Sequence, residues 1–181
     1  MRQPSPHGKR YADAPMDSCI WTDPAALRSE IDARRAEGKT IVTANGCFEI
    51  LHVGHVRYLE AARAEGDLLV VLVNDDASME RVKLDRHSLV PGSERMEMLA
   101  ALKAVDYVIP FSEDTPHELL AQLHPDVHAK GTDYRPEDLP EKEVVERNGG
   151  RIAIVGDPKN HSVSDLRDRL AKDDRASRAS D

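Results

Sequence analysis

The densest chemistry in the chain lies in one stretch, Ala44-Asn-Gly-Cys-Phe-Glu-Ile-Leu-His-Val-Gly-His55. His52 and His55 stand three apart, a spacing that puts two imidazoles on one face of a helical first turn. Such a turn presents unpaired N–H groups and the positive end of the helix dipole, which together favour phosphate. Gly46 and Gly54 carry no Cβ and let backbone approach a ligand closely. The string therefore predicts two histidines donating to one phosphate group, with the backbone around Cys47 facing the ligand. A metal is the other use of a histidine pair, but it needs three or four ligands, and the nearest additions are Cys47 and Glu49. Cys19 and Cys47 form no CxxC pair, so zinc is not expected.

Elements with the right periodicity flank this string. A short buried strand spans 39–45 and a helix 55–65, with Val56, Leu59 and Ala62 on one stripe. The run LLVVLV marks a second strand over 67–74. A helix follows over 93–105, with Ser93 as its cap. Strands at 107–111, 127–129 and 151–155 then alternate with helices at 116–123, 141–148 and 164–172. Upstream, Asp23-Pro24 opens a helix with a capping residue and a proline in its first turn. Parallel strands need crossover helices, so this alternation predicts an α/β, Rossmann-like, doubly wound parallel sheet of about five strands with helices on both faces. Ligands of such sheets bind beyond the carboxyl ends of the strands, at the switch point. The histidine string falls there.

The 181 residues fit one domain, read as a flexible lead over 1–20, a single domain over 21–170 and a disordered tail over 171–181. A composition 40% hydrophobic and 32% charged is that of a soluble globular protein. No apolar run is long enough to span a bilayer, and the basic start of the chain lacks the apolar core of a secretory signal. Two cysteines make no disulfide framework, which suits a cytoplasmic setting. A formal charge of −8 argues against a general nucleic-acid partner.

The string resembles the G-x-F-D-x-x-H-x-G-H motif of the cytidylyltransferase-like nucleotidyltransferases. Further segments resemble the heptose 1-phosphate adenylyltransferase branch in order: Asn74-Asp75-Asp76-Ala77-Ser78, Glu94-Arg95, Val105-Asp106-Tyr107-Val108, Glu113-Asp114-Thr115-Pro116 and Lys130-Gly131-Thr132-Asp133-Tyr134. His161-Ser162-Val163-Ser164 stands where the family has a Ser-Thr-Thr turn. Glu49 replaces a family aspartate, and Val163 removes the central hydroxyl of that turn.

The resemblance implies transfer of a nucleotidyl group: the phosphate of a sugar phosphate attacks the α-phosphorus of a nucleoside triphosphate, and pyrophosphate leaves in line. Positioning and electrostatics carry such chemistry, with no covalent enzyme intermediate. His52, His55 and Lys83 are the implied catalytic residues. The histidines hold the α/β phosphates and are drawn toward their cationic form beside them. Nucleotide contacts fall to Asn45, Gly46, Cys47, Phe48, Gly54, Asn74, Lys130, Gly131, Asp133, Ser162 and Ser164, and the fork of Arg95 goes to the β/γ phosphates. Magnesium is expected through phosphate oxygens and not through protein ligands. ATP with a heptose 1-phosphate is the leading pair, and a homodimer the implied assembly. CTP with glycerol 3-phosphate or another polyol or amino-alcohol phosphate is the alternative, and a catalytically silent nucleotide-binding module is the reading from another class. Plainer roles stand beside these: a solvated loop for Lys83, a solvated helix position for Arg95, a strand-to-turn element for Lys130-Gly131, and helix caps for the two serines.

Overall fold

The computed structural model describes residues 19–83 and 88–157. The predicted helix at 164–172, together with Ser162 and Ser164, lies outside them.

Five parallel strands form one sheet in the order β3-β2-β1-β4-β5, where β1 is Ile41–Gly46, β2 Leu68–Asn74, β3 Tyr107–Phe111, β4 Val127–Gly131 and β5 Arg151–Val155. The chain first winds outward from β1 through β2 to β3, then returns to the other side of β1 for β4 and β5. The switch point is the crevice between β1 and β4. β2 is buried along its whole length, as its continuous apolar run requires of an inner parallel strand.

Side chains alternate across the sheet and build two cores. Val42, Ala44, Val71, Val73 and Ala129 face α2 (Val53–Arg63) and α4 (Gly92–Ala100), which add Leu59, Ala62 and Leu99. Ile41, Leu68, Val70, Leu72 and Ile109 face the opposite layer. There α1 (Pro24–Ala36), α5 (His117–Leu123) and α6 (Lys142–Arg147) supply Leu27, Ile31, Leu119, Leu120, Leu123 and Val145. Asp23 caps α1 through a 2.9 Å bond from Ala25 N–H, with Pro24 in the first turn as its sequence predicts. Arg28 reaches across to the Gln122 carbonyl at 2.6 Å, and Arg35 donates to the carbonyls of Leu123 and His124. These are the last carbonyls of α5, which ends at His124 in the left-handed region, φ 48°.

Local differences from the expectation are informative. α2 begins two residues early, so His52 is its N-cap position and His55 lies in its first turn. α4 starts at Gly92 after Pro91, so Ser93 is not its cap, and it ends at Ala100 instead of reaching Val105. Tight turns from Leu102 N–H to Leu99 O and from Val105 N–H to Leu102 O bring those two side chains back onto the core. A further helix, α3 (Asp76–Val82), stands where the sequence suggested a loop. Asp75 caps it by accepting from Ser78 N–H at 2.7 Å, and Met79 is fully buried beneath it. Ile20, assigned to the lead, pairs with Val108 beside β3. Among the described residues no helix is long and apolar enough to cross a membrane.

Candidate active site

The sheet delivers its chemistry where β1 ends. The chain leaves Gly46, turns through Cys47 and Phe48, and enters α2 at His52. Phe48 takes φ 47°, in the left-handed region, which is uncommon for a bulky residue and costs on the order of 1 kcal/mol. Its ring compensates by burial: it is 4% exposed and meets the His55 ring edge-on, 5.3 Å between centroids. That ring also explains Gly46, where a Cβ would lie 3.2 Å from Phe48 Cε2. The sequence assigns Gly46 to ligand approach; in the structure its bare Cα makes room for Phe48.

His52 and His55 stack with centroids 3.8 Å apart and planes inclined by 20°. Two cations this close repel. Burial pushes His55 down to about 4, and the His52 and Lys83 charges act in the same direction. At neutral pH His55 is therefore neutral in the ligand-free site, opposite to the cationic form expected beside phosphates. An anion between the rings and the head of α2 would reverse those effects. Gly54 stands in the first turn of α2, between the two histidines.

Lys83 closes α3 as its C-cap residue, with N–H to Met79 O at 2.9 Å. Its charge acts on both His55 and Cys47. Cys47 is half-buried, and its thiol sits 3.6 Å from Asn74 Oδ1. Burial raises that thiol's pKa against the lowering charges of Lys83 and Arg95. Asn74 in turn donates to Ser78 Oγ at 2.8 Å, so its amide is engaged within the protein.

The fork assigned to Arg95 needs correction. Arg95 is fully buried, and four of its five N–H donors go to the protein itself. Nη1 reaches the Cys47 carbonyl at 2.6 Å and the Asn74 carbonyl at 2.8 Å, Nη2 reaches Asp76 Oδ1 at 2.9 Å, and Nε reaches the Val90 carbonyl at 3.2 Å. It is neither a solvated helix residue nor a side chain open to a triphosphate. Its planar guanidinium joins three stretches of chain, at Cys47, at Asn74 and Asp76, and at Val90.

Lys130 belongs to a second buried cluster across the crevice. Its ammonium donates to Asn45 Oδ1 at 3.0 Å and to Glu141 Oε1 at 2.8 Å, and it lies 4.7 Å from the Tyr134 ring centroid. Lys130 is 6% exposed and Glu141 4%, so this ion pair is withdrawn from water. Burial alone would push Glu141 up; the hydrogen bond and charge of Lys130 outweigh it and hold the carboxyl below its ordinary value. Beside the pair, His128 Nδ1 lies 2.8 Å from Thr43 Oγ1, and burial pushes that histidine down to about 3. Gly131 leaves room for Asp133, whose Oδ1 would lie 2.8 Å from an added Cβ.

The structure thus brings Asn45, Gly46, Cys47, Phe48, His52, Gly54, His55, Lys83 and Lys130 around one crevice. Asn74 and Arg95 form the support beneath it. Sequence reasoning missed Glu141 and Asp76, and no local pattern could supply them, because their partners lie across the fold. Among the described residues no group of three His, Cys, Asp or Glu side chains could hold a metal ion.

The cytidylyltransferase-like family matches residues 43–169 of the chain. The bifunctional protein HldE of Pelobacter propionicus is 48% identical over 140 residues, covering 77% of this chain and 29% of that protein. HldE of Alkalilimnicola ehrlichii is 46% identical over 151 residues, with 83% and 31% covered. The chain spans about a third of the length of these curated relatives. Among solved structures, a lipopolysaccharide core biosynthesis protein from Thermoplasma volcanium superposes with a TM-score of 0.58 at 26% identity. That match covers 67% of this chain and 100% of the other.

Proposed function

Because the chain belongs to the cytidylyltransferase-like family, we propose that it is a nucleotidyltransferase that joins a sugar phosphate to the nucleotidyl group of ATP. A heptose 1-phosphate is the preferred acceptor, and the products are an ADP-sugar and pyrophosphate. The observation that carries the reading is the stacked His52–His55 pair at the head of α2, set at the switch point of a parallel sheet. The 44–48% identity to bifunctional HldE proteins and the likeness to a lipopolysaccharide core biosynthesis protein support a sugar acceptor over the CTP and polyol phosphate alternative.

In the reaction a sugar-phosphate oxygen attacks the α-phosphorus while the bond to the pyrophosphate oxygen breaks on the opposite side. The α2 N-terminus and the two imidazoles bind the α and β phosphates and stabilise the charge growing on the bridging oxygen. Lys83 adds a positive charge on the attacking side. Magnesium, when bound through phosphate oxygens, neutralises part of the triphosphate charge. The Lys130–Glu141 pair keeps Asn45 fixed at the edge of the crevice. A cytoplasmic homodimer is part of the same reading, in keeping with the two free thiols.

The test is pyrophosphate release from ATP, CTP, GTP and UTP with magnesium against a panel of sugar 1-phosphates and polyol phosphates. Release with ATP and a heptose 1-phosphate is the expected result. Release only with CTP and a polyol phosphate would move the substrate. Nucleotide binding without release from any pair would favour a silent module.

A further inference from the structure

Arg95 is the largest fully buried side chain among the described residues, and it is a cation. Such burial is costly unless every donor finds an acceptor at good geometry. Here the acceptors come from places that the sheet alone does not join: the phosphate loop (Cys47 O), the end of β2 (Asn74 O), the approach to α4 (Val90 O) and the first residue of α3 (Asp76). Asp76 completes the device. Its Oδ1 takes Arg95, and its Oδ2 takes the N–H of Gly92, the first residue of α4, at 3.1 Å. One carboxylate thereby ties the N-termini of α3 and α4 together, a favourable place for negative charge. Burial pushes Asp76 up, and Gly92 N–H and Arg95 together bring it below its ordinary value.

α3 ends in Lys83, and α2 begins at the histidines. The Arg95–Asp76 lock is a charged link between the two, running from the Cys47 carbonyl to the start of α3. The bond to Cys47 also has a direction. In a trans peptide the N–H points opposite to the carbonyl, so pinning Cys47 O inward turns the next N–H, that of Phe48, away from Arg95. Asn74 shows the same geometry: its carbonyl accepts from Arg95, while the following Asp75 N–H points the other way, to Phe111 O at 2.9 Å.

We infer that Arg95 is a positioning residue for the transfer reaction: with Asp76 it locks the phosphate loop and α3 into one unit, so that Lys83 acts in register with His52 and His55. Arg95 itself touches no substrate. This rests on the function proposed above.

The test is a double-mutant cycle. Lys83→Ala is measured alone, in Asp76→Ala and in Arg95→Lys, using pyrophosphate release for kcat and KM and calorimetry for ATP and AMP binding. Asp76 is half-exposed, so its truncation is compatible with folding even where Arg95→Lys is not. Lys83→Ala alone is expected to lower kcat by about 100-fold, the scale of losing one preorganised charge. In either lock variant the further loss is expected to fall below about 10-fold, because Lys83 is already out of place. Arg95→Lys should weaken AMP and ATP alike, since the loop serves both.

Equal Lys83→Ala factors in all backgrounds would overturn the inference, leaving Arg95 a structural clamp. A loss confined to ATP, with AMP spared, would overturn it in favour of direct contact with the β/γ phosphates. A silent Lys83→Ala in an active enzyme would also overturn it. If ATP binds without turnover, the cycle is read in ATP affinity, and the same outcomes support or overturn the inference. Absence of any nucleotide binding would remove the proposed function and this inference together.

Discussion

Replacing Lys130 by methionine tests the buried ion pair directly. The change keeps the length of the side chain and removes the charge that balances Glu141, a carboxylate only 4% exposed. Leaving one member of such a pair uncompensated costs about 3–5 kcal/mol. In a chain of this size each kcal/mol moves the melting temperature by roughly 2–4 °C, so Lys130→Met should melt about 10 °C below the wild type at pH 7. The double variant Lys130→Met with Glu141→Leu removes both charges and should recover most of the loss.

The pH dependence gives a second, independent check. With Lys130 present, Glu141 lies below its ordinary value, and its contribution is lost as pH falls through that lowered pKa. With Lys130 gone, burial dominates and lifts Glu141 above its ordinary value, so the folded variant binds a proton that the unfolded chain does not. The gap between variant and wild type must then narrow as pH falls below the raised pKa, by about 1.4 kcal/mol per pH unit. His55 titrates in both proteins and cancels in the difference; His128 feels the Lys130 charge, and its easier protonation in the variant narrows the gap in the same direction. The assay is urea unfolding of both proteins between pH 7 and pH 5. A gap under about 1 kcal/mol at pH 7, or one that stays constant to pH 5, would refute the reasoning.

His55→Ala should lower kcat for pyrophosphate release by at least about 100-fold with a melting temperature near wild type; unchanged turnover would sink the phosphate-site assignment. Nucleotide binding should take up a proton, because a phosphate raises the His55 pKa from its ligand-free value of about 4. Affinity for AMP should accordingly rise as pH drops from 7 to 5. Calorimetry in buffers of different ionisation enthalpy reads the proton directly, and zero uptake would exclude His55 from the anion site. Gly150→Ala should destabilise by about 2–3 kcal/mol, since the new Cβ would sit 2.3 Å from the Pro125 carbonyl oxygen. Its neighbour Gly149, at φ 83° with open space around it, should accept asparagine for under about 1 kcal/mol, and equal losses at the two sites in thermal unfolding would contradict this.

What the sequence disclosed and what it withheld divide along local and non-local lines. The LLVVLV run, bounded by polar residues, reads as a strand and is one, and β5 at Arg151–Val155 agrees with its predicted bounds. The histidine string is legible because strand end, loop and helix start are contiguous, so the spacing of His52 and His55 already contains their juxtaposition. α3 escaped because Asp76–Val82 is too short to show a periodic stripe; Met79 and the Asp75 cap decide it through packing. Arg95 was misassigned for a related reason. Its type suits a triphosphate, but 48 residues separate it from Cys47 and 19 from Asp76, and no local pattern announces those partners. Glu141 is hidden in the same way, at the head of a polar-looking helix whose burial against Lys130 only the fold creates.

The contacts of α1 separate two boundaries that are easily conflated. The family's likeness starts at Thr43, yet Leu27 and Ile31 are both fully buried against the sheet, and Arg28 and Arg35 close the last turn of α5. The unit that folds is thus larger than the span the family model matches, and the likeness to the HldE proteins, up to 151 residues long, exceeds that span as well. A chain cut at the edge of that span would keep every residue of the crevice. It would also lose Ile41 and Val42 from β1 and uncover Leu68 and Tyr107, part of the lining against which β2 and β3 pack. Truncation would then be recorded as lost activity although no residue of the crevice had been touched.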